Sequence, residues 1–117
     1  MATVPSKPTQ GQTVAGGTNW KQAVMTAGTN QFVAATKTDG TLWTWGWNAF
    51  GQLGDNTTTN KSSPVQTIAG GSNWNVIDAA AGSTTTAASC GVKTDGTLWI
   101  WGYNAYGQLG DNTNVNK

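Results

Sequence analysis

The sequence predicts an all-β chain made of two tandem units of short antiparallel strands, and three observations carry that prediction. Long straight helix formers are scarce: the 117 residues hold no Glu and no Arg, while Thr, Gly, Val and seven Trp suit strands and turns. The chain also repeats itself. Residues 37–61, KTDGTLWTWGWNAFGQLGDNTTTNK, recur as residues 93–117, KTDGTLWIWGYNAYGQLGDNTNVNK, with 20 of 25 positions identical. Finally, both copies carry Thr-Asp-Gly-Thr, at 38–41 and 94–97, and Asp-Gly between β-rich runs marks a hairpin turn.

The repeat reaches upstream, where Gly16–Trp20 matches Gly70–Trp74 at an offset of 54 instead of 56. The two extra residues of the second copy are expected in a loop near Ser83–Thr86. The chain therefore divides into a tail over 1–6, a first repeat over 7–61 and a second over 62–117. The first repeat opens with a degenerate version, Lys7 to Val14, of the opening of the second, and Lys117 is the counterpart of Lys61.

In the first unit the incoming hairpin strand is expected over Phe32–Lys37, the turn at Asp39 and Gly40, and the outgoing strand over Thr41–Trp47. Trp43, Trp45 and Trp47 then share one face and Leu42, Thr44 and Gly46 the other. Asn48 to Asn56 reads as a loop in which Gly51 and Gly54 take unusual dihedrals and Leu53 plugs the core. In the second unit, strands are expected over Pro64–Ala69 and Val76–Ala81, separated by Gly-Gly-Ser-Asn at 70–73. They are followed by a strand over Ala87–Lys93, a turn at Asp95 and Gly96, and a strand over Thr97–Tyr103. The closing loop holds Gly107, Gly110 and the plug Leu109.

Four short strands in a unit of 54–56 residues is the arithmetic of a β-propeller blade. A blade is covered on both faces by its neighbours, which suits a run such as Leu98-Trp99-Ile100-Trp101. Two blades stacked together still leave two outer faces open.

Composition excludes several functions. Without His or Glu there is no His-based triad, ordinary zinc site or Glu-based acid–base pair, so neither an enzyme nor a metal or other cofactor is expected. Six scattered Lys read as solvated, and a formal charge of +1 without Arg gives no nucleic-acid footprint. Cys90 is the sole cysteine and is expected to pack as a small apolar residue. No stretch approaches the roughly 20 apolar residues of a membrane span, and the polar N-terminus lacks the apolar centre of a signal peptide.

The units resemble the repeat of the regulator of chromosome condensation family. The resemblance rests on Asp39-Gly40-Thr41-Leu42-Trp43, Trp45-Gly46, Asn48 and Gly51-Gln52-Leu53-Gly54-Asp55, with Asp95 to Trp99, Trp101-Gly102, Asn104 and Gly107 to Asp111 as their equivalents. It implies propeller blades. The family's founder is a seven-bladed nucleotide exchange factor that docks on chromatin. Exchange activity is not expected of two near-identical repeats, which lack the His that often follows the Ala-Gly or Cys-Gly step and lack basic tails.

The expected role is a non-enzymatic structural or protein-interaction module that self-assembles through its open blade faces. Three or four chains would close a ring, and a rotation that fails to close would give a stack or filament. The alternative is a lectin-like module in which Trp47, Asn48, Phe50 and Gln52, repeated as Tyr103, Asn104, Tyr106 and Gln108, bind glycans weakly and repeatedly. A fibre or decoration subunit at a virion or cell surface is a further possibility and slightly favours an extracellular setting. The in-register ends also suit an excised or designed fragment. The Asp residues of the turns, Asp39 and Asp95 among them, are expected to bond to their own backbone.

Overall fold

The computed structural model describes residues 12–13, 16–26, 31–67, 71–81, 87–104, 107, 109–113 and 115–117. The expected insertion near 83–86, the tail over 1–6, most of the opening over 7–14, and the site candidates Tyr106 and Gln108 lie outside the described residues. The described chain is all strand and loop. Strands β1 (Trp20–Met25), β2 (Phe32–Lys37), β3 (Leu42–Gly46) and β4 (Lys61–Gln66) form one antiparallel sheet in that order. A second sheet, also antiparallel, holds β5 (Trp74–Ala81), β6 (Ala87–Lys93) and β7 (Leu98–Gly102). These are the two blades.

Each hairpin forms where the Asp-Gly pairs predict it. Gly40 N–H donates to Lys37 O at 2.9 Å and Lys37 N–H to Thr41 O at 3.0 Å, which is a three-residue turn with Gly40 at φ 84° in the left-handed region. Asp39 Oδ1 accepts from Thr41 N–H and the Thr41 hydroxyl at 3.0 and 2.7 Å, and Asp95 does the same for Thr97. The two blades share further devices. A bulge interrupts β1 between Trp20 and Gln22 and β5 between Trp74 and Val76. Trp20 meets Trp45 edge-on at 6.2 Å, as Trp74 meets Trp101 at 5.8 Å.

The strand after the long loop departs from the expected plan. It runs over Lys61–Gln66, not Pro64–Ala69, and it pairs with β3 behind it (Gly46↔Lys61, Trp43↔Gln66), not with β5 ahead. The loop over 47–60 folds back on itself, so Lys61 emerges directly opposite Gly46. The following segment then crosses to the second blade, and Trp74 N–H donates to Gly40 O at 3.0 Å. The first blade thus borrows the opening strand of the second sequence repeat.

The core lies between the blades. Ala34 and Leu42 of the first sheet pack with Trp74 and Ile77 of the second, joined by Val24 and Trp101. Phe32 and the loop residue Leu53 pack with Ala87, joined by Trp47 and Ala79. All of β2 from Phe32 to Thr36 is buried, so both of its faces are covered.

Candidate functional site

The loop that joins β3 to β4 is built on one buried amide. Asn48 Nδ2 donates to Thr57 O and Thr59 O, each at 3.0 Å, and to Asp55 Oδ1 at 3.1 Å, while its Oδ1 accepts from Leu53 N–H at 3.0 Å. Asn60 Oδ1 accepts from Asn48 N–H at 2.8 Å. Asn104 repeats the arrangement with Thr113, Val115, Asp111, Leu109 and Asn116. A loop without regular backbone pairing has to find hydrogen bonds from side chains, and a planar amide with donors and acceptors supplies several from one point. Both amides are buried and spent inward, so neither is presented to a ligand.

Burial alone would raise the Asp55 pKa, but the Thr57 hydroxyl and amide, the Asn48 amide and Lys61 outweigh it and hold the carboxyl below its ordinary value. Lys61 Nζ lies 3.8 Å from Asp55 Oδ2, and Lys117 Nζ 3.5 Å from Asp111 Oδ2. The turn carboxylates Asp39 and Asp95 are lowered chiefly by the hydroxyls of Thr41 and Thr97.

Gln52 is the pin of the joint between blades. It is buried, its Oε1 accepts from Phe50 N–H at 2.9 Å, and its carbonyl accepts from Ser89 Oγ and Trp101 Nε1, both at 2.8 Å. Phe50 stands edge-on to Trp47 at 5.5 Å and to Tyr103 at 5.1 Å, so three of the candidate aromatics form one chain across the two repeats. The sequence reading missed two side chains that the structure makes important. The ammonium of Lys37 lies over Trp20 and Trp43 at 4.9 and 4.8 Å, and that of Lys93 over Trp74 and Trp99 at 4.9 and 4.6 Å. These two Lys are not simply solvated; their matching positions in the two repeats were the available signal.

Equivalent positions of the two blades differ in burial. Leu42 is 0% exposed beneath Trp74, whereas its equivalent Leu98 is 63% exposed and the adjacent Trp99 43%. A Cβ on Gly40 would run into the Ser72 carbonyl, and one on Gly54 would lie 2.8 Å from Trp101 Nε1. At their equivalents, Gly96 and Gly110, no described residue lies within 4 Å. On the opposite side, Ile77 is buried while Ala23, its equivalent in β1, is exposed, and Thr67 is buried while Thr13 is exposed. The side of the second blade equivalent to the covered side of the first is thus left exposed at Leu98, and the outward side of the first blade is left exposed at Ala23 and Thr13.

A cavity of about 600 Å³ lies beside β7, bounded by Trp99, Ile100 and Trp101 on one side and by Phe50, Thr57 and Thr67 on the other. Among the described residues no group of three or more His, Cys, Asp or Glu side chains comes together. Burial and the nearby Asp78 push the Cys90 thiol up, opposite to what a nucleophile needs.

Comparison with known proteins agrees with this architecture. The profile described as "Regulator of chromosome condensation (RCC1) repeat" matches residues 39–89, and a second profile of the same description matches residues 25–52 and 76–108. The human E3 ubiquitin-protein ligase HERC2 is 36% identical over 90 residues, which is 77% of this chain and 2% of that protein. The X-linked retinitis pigmentosa GTPase regulator homolog of Caenorhabditis elegans is 36% identical over 80 residues, 68% of this chain and 6% of that protein. The ultraviolet-B receptor UVR8 of Arabidopsis thaliana is 34% identical over 87 residues, 74% of this chain and 19% of that protein. The chain thus spans a small part of each relative, and what it shares with a ligase, a regulator homolog and a receptor is the repeat itself. With two blades of this build and the profile matches covering both, the chain belongs to the regulator of chromosome condensation (RCC1) repeat family.

Proposed function

We propose that this chain is a non-enzymatic interaction module that assembles with copies of itself, the open face of the second blade in one copy receiving the first blade of the next. The observation that carries the reading is the contrast between Leu42, buried at 0% exposure, and Leu98, left 63% exposed at the same place in the next blade. Leaving a large apolar side chain exposed on a sheet face costs free energy in water, and the chain contains a surface of the kind that covers it in the first blade. Trp74 and Ile77 cover Leu42. Trp20 and Ala23 occupy the equivalent places on the outward side of the first blade.

Such a joint is heterologous, head to tail, so it adds two blades with each copy. Three or four copies close a ring, and a rotation that does not close gives a filament. The test is the absolute mass in solution by light scattering across a concentration series. The reading expects species that are multiples of the 12.1 kDa chain and grow with concentration. A folded chain that keeps the mass of one copy at every concentration overturns it.

A further inference from the structure

We propose that each blade carries an aromatic clamp for a methylated ammonium, with Lys37 and Lys93 as the side chains that accept the methyl groups. Trp20 of β1 and Trp43 of β3 form the clamp in the first blade, and Trp74 of β5 and Trp99 of β7 form it in the second. Each clamp lies within one blade, so it is independent of the assembly reading above. Lys37 Nζ stands 4.9 Å from the Trp20 ring centre and 4.8 Å from that of Trp43. Lys93 Nζ stands 4.9 Å from Trp74 and 4.6 Å from Trp99. Stacked heavy atoms touch at about 3.5–4.0 Å, so a bare nitrogen centred over a ring has room to come about 1 Å closer. A methyl group takes up that space. With its carbon touching the ring and an N–C bond of about 1.5 Å slanted towards it, the nitrogen rests about 4–5.5 Å from the ring. All four separations fall in that range.

The indoles are held in place by bonds of their own. Trp43 Nε1–H donates to Thr41 Oγ1 at 2.8 Å, and that hydroxyl donates to Asp39 Oδ1 at 2.7 Å. Trp99 uses Thr97 and Asp95 in the same way, and Trp20 Nε1–H donates to Gly16 O at 2.9 Å. Strand pairing sets each lysine beside its clamp, with Lys37 opposite Trp20 and Lys93 opposite Trp74. The stack keeps its dimensions in both blades although Trp74 is buried and Trp20 half-buried. It is therefore a property of the blade and not of what lies beside it.

The other described lysines are placed differently. Lys61 and Lys117 face the carboxylates of Asp55 and Asp111 at 3.8 and 3.5 Å, and Lys21 is exposed. Neither Lys37 nor Lys93 forms an ion pair or donates a side-chain hydrogen bond to any described residue. Methylation keeps the positive charge and replaces N–H donors with carbon. At these two positions it gives up no hydrogen bond to a described residue and adds contact with both indole faces. Aromatic walls of this kind are how quaternary ammonium groups and methyl-lysine are recognised. The methyl donor is of the sulfonium class. In each step the deprotonated amine attacks the methyl carbon, the N–C bond forms, the C–S bond breaks and a thioether leaves, the amine's proton having gone to solvent.

Reductive methylation of the full chain with isotope-labelled formaldehyde and a borane hydride donor tests the clamp, because it dimethylates lysines without an enzyme. Two dimethylammonium signals are expected upfield of the rest in the NMR spectrum, moved by the indole ring currents. Lys37→Arg should remove one and Lys93→Arg the other, while each arginine keeps a cation in the stack. In urea unfolding, methylation should raise the folded-to-unfolded ratio about twofold or more at each clamp, judged against the double Lys37→Arg, Lys93→Arg variant treated alike. Signals that all lie together at the position of exposed side chains overturn the proposal. So does a treated chain that gains no more than the treated double variant.

Discussion

Truncating Leu98 separates a stability effect from an assembly effect. Leu42 and Leu98 are equivalent residues on equivalent strands, but one is covered by the neighbouring blade and the other is 63% exposed. Fully burying a leucine side chain is worth about 1.5–3 kcal/mol, so covering the exposed part of Leu98 is worth about 1–2 kcal/mol at each joint. Leu98→Ala should therefore weaken each joint about 5- to 25-fold, since about 1.4 kcal/mol is a factor of ten. Its effect on the unfolding of the isolated chain should be small, because little burial is lost. Leu42→Ala should cost the fold about 2–5 kcal/mol, the range for a buried leucine cut to alanine. The assays are light scattering for assembly and urea unfolding, at concentrations below assembly, for the fold. If Leu98→Ala left the assembly midpoint unchanged, or destabilised the isolated chain as much as Leu42→Ala, the open face would not be the joint.

Other substitutions probe the loop and the turns. Asn48→Asp replaces the amide donor that faces Asp55 and two carbonyls with an acceptor; it should lower stability by about 2–4 kcal/mol in urea unfolding, with the matching change expected at Asn104. Gly40→Ala and Gly96→Ala share a left-handed backbone, at φ 84° and 87°, so both should lose about 1 kcal/mol. Only Gly40→Ala also strikes the Ser72 carbonyl, so its thermal midpoint should fall further, while Gly96→Ala should show its additional loss in assembly. Asp39, Asp55, Asp95 and Asp111 all have folded-state pKa values below the ordinary 3.8. Their contribution is present above the unfolded pKa and is lost as pH falls through the lower folded values. Stability should thus be flat above about pH 5 and decline below about pH 4 in unfolding measurements.

The fold was legible because its strongest signals are local or repeated. Asp39-Gly40 and Asp95-Gly96 fix the hairpins through backbone conformations open to few residues, and Leu53 and Leu109 are apolar residues in polar loops with nowhere to go but inward. The phase of β4 was not legible. A strand can pair with the one before it or the one after it, and the choice depends on a loop folded around Asn48, which is a tertiary fact. Asn48, Gln52 and Asn104 read as surface residues because an amide looks the same in sequence whether it faces water or a loop's own backbone. Their placement follows only once the hydrogen bonds of an irregular loop are counted. The cation stacks of Lys37 and Lys93 depend on which tryptophans lie across the sheet, and that needs the register. Two-sided apolar strands imply exposed apolar positions in a two-blade chain, but which residues those are, Leu98 and Ala23 among them, depends on the packing of one blade on the other.

The head-to-tail geometry has one direct test. Cys90 is the only thiol, and its equivalent Ala34 packs in the same cluster as Ile77, whose counterpart on the outward first blade is Ala23. Treating the Ala23→Cys chain with a short bis-maleimide should join Cys90 of one copy to position 23 of the next, giving a ladder of two, three and more chains on a denaturing gel. The unaltered chain, with Cys90 alone, should give no ladder. A product that stops at pairs, or an Ala23→Cys chain that stays uncoupled at concentrations where its mass shows assembly, would contradict head-to-tail joining.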